Sequence, residues 1–507
     1  MAISSPTGRD DISAQEKIIE DRVDNPASFH PVTASAKDVE NLPEIDYAAE
    51  DRLIRKLDWY IIPPTMLLYL FSFLDRVNIG NARLYGMEED LGLEGSQYQT
   101  AVSILFLTYV LSETPSNLVL KKLRPSRWIA FITAAWGIVA TLTGLVQNYG
   151  GLIACRLILG ALEGGLFPGM TLYLTMFYGK REIALRVGYL FVSAALAGSV
   201  GGLLAYGIGF MDGVSGQKGW RWIMIIEGLP SIVLGVAAYW WLADDPETAY
   251  YLSQPERDLM VIRKRRQIGH TTSADFMHKE DVIKAFKDWR VWMFCFGQFG
   301  VDTMLYGYST FLPTIIKGLG TWSTAQTQAL TVPCYALGAI TYLIVAHISD
   351  RFQKRGLAAV TFCMISIVGY IILITDVSSG AHYFGCFMVA MGLYVAVGIP
   401  LAWLPSNQPR YGSRATATGL QLTIGNCSGI MAPFLYKTNE APRYIRGHAV
   451  SLSMVGLAGV IYAIMSAYFM ALNQNRRAGK EDAIIIGKTE EEIAEMGDRN
   501  PRYVFTY

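Results

Sequence analysis

The sequence predicts an all-α membrane protein with twelve transmembrane helices arranged as two six-helix bundles. Three observations carry this prediction. Of 507 residues, 52% are hydrophobic and 17% charged, against about 25% charged in soluble domains. The apolar residues form long runs, among them Trp59–Leu74, Val187–Phe210 and Gly447–Leu472. About 20 apolar residues cross the ~30 Å hydrocarbon core as a helix. Finally, the runs fall into two sets of six around a polar stretch. This pattern excludes a soluble enzyme and a nucleic-acid-binding protein, and it makes the lipid bilayer the chain's first partner.

Residues 1–56, with 12 acidic and 7 basic side chains and no apolar periodicity, are expected to form a disordered cytoplasmic tail. The N-terminal bundle, 57–243, holds spans near 58–80, 98–119, 127–147, 150–177, 186–210 and 220–243. A cytoplasmic linker, 244–288, carries the basic run Arg263-Lys264-Arg265-Arg266. Its stretch Pro255–Arg266 reads either as an amphipathic helix on anionic lipid or as a solvated charge run. The C-terminal bundle, 289–473, holds spans near 289–316, 327–348, 357–376, 382–405, 412–436 and 447–472, and a polar C-terminal tail, 474–507, follows. The chain opens without a basic segment leading into a short apolar one, so span 1 is expected to direct insertion. The six cysteines each fall inside a span, where they read as packing residues without disulfides.

Loop charge sets the expected orientation. With the N-terminus inside, the four short inner loops hold twelve Lys and Arg residues and the outer loops six. The positive-inside rule then places both termini in the cytoplasm. A multi-pass protein of the cell membrane is expected, with an internal membrane as the alternative, and a monomer. Neither a metal cluster nor a nucleotide-binding loop stands out, so no cofactor is expected beyond protons as a coupling ion.

A repeat is visible in the inner loops. Ala346-His-Ile-Ser-Asp350-Arg351-Phe-Gln-Lys354-Arg355 follows span 8, and Leu118-Val-Leu-Lys121-Lys122-Leu-Arg124 holds the corresponding place after span 2. The first of these resembles the loop motif of the major facilitator superfamily, with Ala346 at its usual leading glycine. The resemblance makes Asp350 and Arg351 gating candidates. Four further blocks are similar to the fungal anion:cation symporter branch, which includes allantoate and nicotinate permeases. They are Leu74-Asp-Arg-Val-Asn-Ile-Gly-Asn81, Arg156-Leu-Ile-Leu-Gly-Ala-Leu-Glu-Gly-Gly-Leu-Phe-Pro168, Gly219-Trp-Arg-Trp-Ile-Met-Ile-Ile-Glu-Gly228 and Trp403-Leu-Pro-Ser-Asn407. The likeness covers about residues 50–475 and implies the major facilitator fold with two rocking bundles.

Charges inside the spans are the functional candidates, because each costs roughly 2.5–3.5 kcal/mol near the bilayer centre on insertion scales. In span 4, Arg156 and Glu163 share a face two turns apart, about 10.5 Å along the axis, and so each is expected to have a partner elsewhere. Glu163, near mid-depth, is the proton-coupling candidate, with a structural charge pair as the plainer alternative. In span 1, Arg76 is suited to a carboxylate through its planar fork. Related vesicular organic-anion carriers resemble this segment and place an arginine here. Asn78, on the face of Asp75, joins Arg76 and Arg156 as a candidate substrate contact. Span 7 carries Asp302, Tyr306 and Ser309 on one polar stripe. The resemblance matches Tyr306 to a substrate-facing tyrosine, while Asp302 reads as a second proton site or the partner of Arg156. Asn426, with Gln421 in span 11, could offer neutral hydrogen bonds to a ligand. Glu113, toward the cytoplasmic end of span 2, reads as a gate contact, and Glu227 as structural. Gly160/Gly164 and Gly198/Gly202 are expected to serve tight contacts between rocking bundles.

The leading expectation is a secondary active transporter importing a small organic anion, such as a nicotinate- or allantoate-like carboxylate, together with protons. A proton-exchange efflux carrier is the alternative of the same class, and a transporter-like nutrient sensor the alternative of another. Span 5 lacks the glycine-proline signature of proton-driven exporters in the superfamily, which favours uptake.

Overall fold

The computed structural model describes residues 46–179, 182–269, 278–437, 440–489, 492–493 and 496–507. The regular elements of the described residues are all helical. The twelve expected spans appear at Tyr47–Leu84, Gln97–Lys122, Pro125–Thr143, Tyr149–Phe177, Ile183–Ile208, Gly219–Trp241, Trp289–Gly318, Thr324–Phe352, Arg355–Ile374, Ser379–Ser406, Tyr411–Met431 and Ile445–Arg477. Among the described residues, nine of these segments are long and apolar enough to cross a membrane by length and composition. Spans 2, 7 and 11 are the others. They carry side chains such as Glu113, Gln298, Asp302, Thr310, Gln421 and Asn426, and neighbouring helices cover them, so their apolar surface need not face lipid on all sides.

Span 1 starts earlier than expected. Asp46 caps it by accepting from the Ala48 amide at 2.9 Å, so residues 47–56, assigned to the tail, are helical. The expectation of disorder for residues 1–45 lies outside the described residues. Span 4 is broken at Gly164–Gly165 into Tyr149–Glu163 and Leu166–Phe177, which puts Glu163 at the end of a helical segment.

The linker divides between the two bundles. Its first helix, Gln254–Gly269, is held to the N-terminal bundle by Lys56 on Glu256 (2.7 Å) and by Arg263 on Glu50 and Glu182 (2.6 Å each). Tyr251, just before it, stacks on Tyr60 at 4.7 Å. Arg263 is therefore committed to protein carboxylates and not to lipid, while the side chains of Lys264, Arg265 and Arg266 lie outside the described residues. The second linker helix, Lys279–Lys287, belongs to the C-terminal bundle, with Asp281 paired to Arg410 at 2.6 Å.

The face that carries the linker and both described chain ends is called the linker face below, and the opposite one the far face. The bundles meet closely toward the far face. A Cβ on Gly80 would stand 2.1 Å from the Thr310 carbonyl oxygen, so span 1 can press on span 7 only through glycine. Ser103 donates to the Ile430 carbonyl at 2.7 Å, and Tyr98 meets Phe311 edge-on. Gly198 and Gly202 of span 5 abut Tyr335 and Thr331 of span 8, the expected contact between bundles. Gly160 and Gly164 face span 2 instead, against the Leu105 and Tyr109 carbonyls, and so tighten one bundle internally.

Candidate functional site

A cavity lies between the bundles. Span 1 contributes Tyr69, Phe73 and Arg76; span 7 contributes Asp302 and Tyr306; Asn426 comes from span 11. Spans 2, 4, 5, 8 and 10 complete the wall, largely with aromatic and aliphatic side chains. Its volume is about 50 Å3, several times the ~10–15 Å3 that one water needs.

Arg76 is the one arginine on this lining. Its Nη2 donates to Glu163 Oε1 at 2.6 Å and its Nε to the same oxygen at 3.2 Å, with Ser72 Oγ adding a third bond at 2.5 Å. The Arg76 Nη1 donor has no hydrogen-bond partner among the described residues. The guanidinium also lies 4.9 Å from the Tyr109 ring centre and 5.6 Å from that of Phe73. The geometry holds a buried cation in place by one carboxylate oxygen and aromatic faces, leaving part of its fork for another acceptor.

On the opposite wall, Gln298 donates to Asp302 Oδ1 at 2.8 Å and receives a bond from Gln421 at 3.1 Å. Gly425 lets span 11 close over the Asp302 carboxylate, since a Cβ there would stand 2.3 Å from Oδ2. Tyr306 donates to Asn426 Oδ1 at 2.6 Å, and the side-chain amide of Asn426 is also hydrogen-bonded to Glu113 of span 2. The Tyr306 ring meets Phe106 with centroids 4.4 Å apart.

The structure thus brings together Arg76, Glu163, Asp302, Tyr306 and Asn426. It does not bring Asn78 and Arg156 to the cavity lining. Asn78 is turned to Glu227 of span 6, to which its Nδ2 donates. Arg156 is 2% exposed and makes no hydrogen bond among the described residues, and its Nε is buried without one. It pairs with neither Glu163 nor Asp302, because Arg76 of span 1 holds Glu163 and Gln298 holds Asp302. Asp75, beside Arg76 in sequence, points the other way and accepts from Trp136 Nε1 at 2.5 Å. Glu113 bridges the bundles on the linker side of the cavity, accepting weakly from Thr423 at 3.5 Å. Arg351 is exposed at the end of span 8, and the side chain of Asp350 lies outside the described residues.

Sequence reasoning missed several contributors. Ser72, Gln298 and the rings of Tyr109 and Phe106 look in the sequence like ordinary helix-face residues. Ser72 and Arg76 are four residues apart on one helix face, a spacing that could have linked them. Gln298 stands in the same relation to Asp302.

The fold and this inter-bundle site are those of a membrane transporter, and sequence comparison agrees. A profile of the Major Facilitator Superfamily matches residues 65–433. The chain belongs to that superfamily. It is 40% identical over 460 residues to an uncharacterized transporter of Schizosaccharomyces pombe, covering 90% of this chain and 91% of that one. It is also 32% identical over 487 residues to the high-affinity nicotinic acid transporter of Saccharomyces cerevisiae, covering 95% and 89%. Among solved structures, a bacterial homolog of the human lysosomal transporter Spinster, in an inward-facing and unoccupied conformation, superposes with a TM-score of 0.64. That match has 16% identity and covers 81% of this chain and 97% of the other. The superfamily transports and does not catalyse, so the protein is a multi-pass membrane transporter of a small molecule.

Proposed function

We propose that the protein imports a small organic anion together with protons, with both termini in the cytoplasm. The single observation that carries this reading is the Arg76–Glu163 pair, 2.6 Å apart beside an aromatic cavity. Once Arg76 and Glu163 are paired in a low-dielectric site, removing one partner without a substitute anion is strongly disfavoured. Glu163 serves as the anion for Arg76 while the cavity is empty. An entering carboxylate takes its place, using the free Nη1 and the planar fork. Glu163, released from Arg76 in a desolvated setting, then takes up a proton, so one substrate and one proton move together. The amide of Asn426 and the Tyr306 hydroxyl supply neutral hydrogen bonds, and the rings of Phe73 and Tyr109 favour a flat substrate.

The nicotinic acid transporter among the relatives supports a compact aromatic or heteroaromatic carboxylate as the first substrate class to test. The close packing at Gly80 and Ser103 fits a state closed on the outer side, as rocking-bundle transport requires of one half-cycle. The test is uptake by cells expressing the chain from a panel of labelled organic acids, nicotinate first, at two external pH values. Acid-stimulated accumulation of one acid is the expected result. Acid-stimulated release from preloaded cells, without accumulation, would instead assign proton-exchange efflux.

A further inference from the structure

Residues 496–507 do not trail from span 12 as a solvated tail. They return to the linker-face end of the C-terminal bundle and are held there by three kinds of contact. The first is backbone recognition by two buried amides. Asn407 Oδ1 accepts from the Thr506 amide (2.8 Å) while its Nδ2 donates to the Thr506 carbonyl (2.9 Å). Asn473 treats Phe505 the same way, at 2.9 and 2.8 Å. Two successive residues are thus each read through N–H and C=O together, as strands on either side of an extended chain would read them. Trp403 Nε1 adds a bond to the Thr506 carbonyl at 2.8 Å.

The second contact is an apolar anchor. Phe505 is 2% exposed, stacks on Phe469 with centroids 5.0 Å apart, and lies 4.7 Å from the Arg476 guanidinium. The third is ionic. Asp498 pairs with Lys284 of the second linker helix (2.5 Å) and with Arg290 at the start of span 7 (2.6 Å).

We propose that the ends of spans 7, 10 and 12 form a peptide-binding groove whose ligand is this chain's own segment 497–507. Docking of that segment joins these helix ends and the second linker helix into one rigid unit. The block Trp403–Asn407 acquires a role in this way, because its two end residues recognise the peptide backbone. Asn407 and Asn473 are buried, and without the segment their amides would lose four of the bonds just described; buried polar groups are rarely left in that state. Span 10 also supplies Tyr394, Val397 and Leu401 to the cavity wall, so the docked segment steadies the helix that forms that wall. The partners named here all belong to the C-terminal bundle or the second linker helix. The segment can therefore stay docked while the bundles rock. This inference stands apart from the anion reading, and its test needs no substrate.

The test uses the full chain in its membrane. In the double variant Asn407→Cys/Thr506→Cys, mild oxidation should join the two positions, read as a disulfide-linked peptide by mass spectrometry. The thermal midpoint of the purified oxidised protein should lie above that of the reduced form. Phe505→Asp should lower the midpoint by several degrees, whereas Val504→Asp, at a neighbouring position that is 61% exposed, should leave it unchanged. If the joined peptide fails to form, or if Phe505→Asp and Val504→Asp give the same midpoint, the groove is overturned.

Discussion

Arg76 Nη2 stands 2.6 Å from Glu163 Oε1, joining spans 1 and 4 by a buried ion pair at the edge of the inter-bundle cavity. The pair sits where span 4 is broken after Glu163, so the carboxylate projects from a helix end and not from a continuous turn. Breaking such a pair without a substitute anion is expensive. A transport cycle built on it must exchange one anion for another.

Replacing Arg76 by Lys should therefore impair transport although the charge is kept. A lysine ammonium is compact and cannot present a planar fork first to Glu163 and then to the substrate that replaces it. Loss of a charge-assisted bond of roughly 1.5–3 kcal/mol corresponds to about a ten- to hundredfold rise in apparent KM. The check is concentration-dependent uptake at matched surface expression, and an unchanged KM would remove Arg76 from the substrate site.

Tyr306→Phe should have a smaller effect. It removes one neutral hydrogen bond, to Asn426, for which about 0.5–1.5 kcal/mol is typical. Apparent affinity should shift by about tenfold or less, and the pH dependence should be retained because no ionisable coupling group is touched. A lost pH dependence in the phenylalanine variant would place Tyr306 in the proton route.

Gly80→Val should disfavour closure of the far face, because even a Cβ would meet the Thr310 carbonyl oxygen at 2.1 Å. Ser103, buried where spans 2 and 11 of the two bundles meet toward the same far face, supplies the reporter. Ser103→Cys should label faster with a membrane-impermeant maleimide, added from outside, in the Gly80→Val background than alone. Equal labelling rates would contradict the closure.

The Asp498 pairs carry a pH prediction of their own. Burial by itself would raise the Asp498 carboxyl, but hydrogen bonds from Arg290 and Lys284 and their charges outweigh it, so its pKa lies below the ordinary aspartate value. A carboxyl lowered in the folded state contributes stability above its unfolded pKa of about 4, and that stability is lost as pH falls further through the folded value. The midpoint difference between wild type and Asp498→Asn should therefore be constant from about pH 6 to 8 and shrink below about pH 4. A difference that shrinks between those higher values would show that another group controls it.

Much of the architecture was legible because long apolar runs force helices wherever backbone polar groups cannot reach water. The residues flanking the cavity were legible one at a time, since a charge inside a span stands out against its surroundings. Their partners were not. The two-turn spacing from Arg156 sends Glu163 to a partner on another helix, but which one is decided by helix rotation and bundle packing: Arg76 lies 87 residues away. Asn78 shares a face with Asp75, and both turn from the cavity toward spans 3 and 6. The docked segment was hidden for the opposite reason. It is short and lies beyond the last span, and the amides that receive it lie about 30 and 100 residues earlier in the chain.

In the proposed cycle, Glu163 exchanges Arg76 for a proton when the substrate anion enters. The most direct measurement compares Glu163→Gln with wild type in proteoliposomes, using the organic acid identified by the uptake screen. Glutamine keeps an oxygen for Arg76 and Ser72 but cannot release a proton. The variant should still exchange labelled for unlabelled substrate, yet no longer accumulate it under an inward proton gradient. Accumulation by Glu163→Gln with the wild-type pH dependence would show that Glu163 does not carry the proton and would pass the coupling role to Asp302.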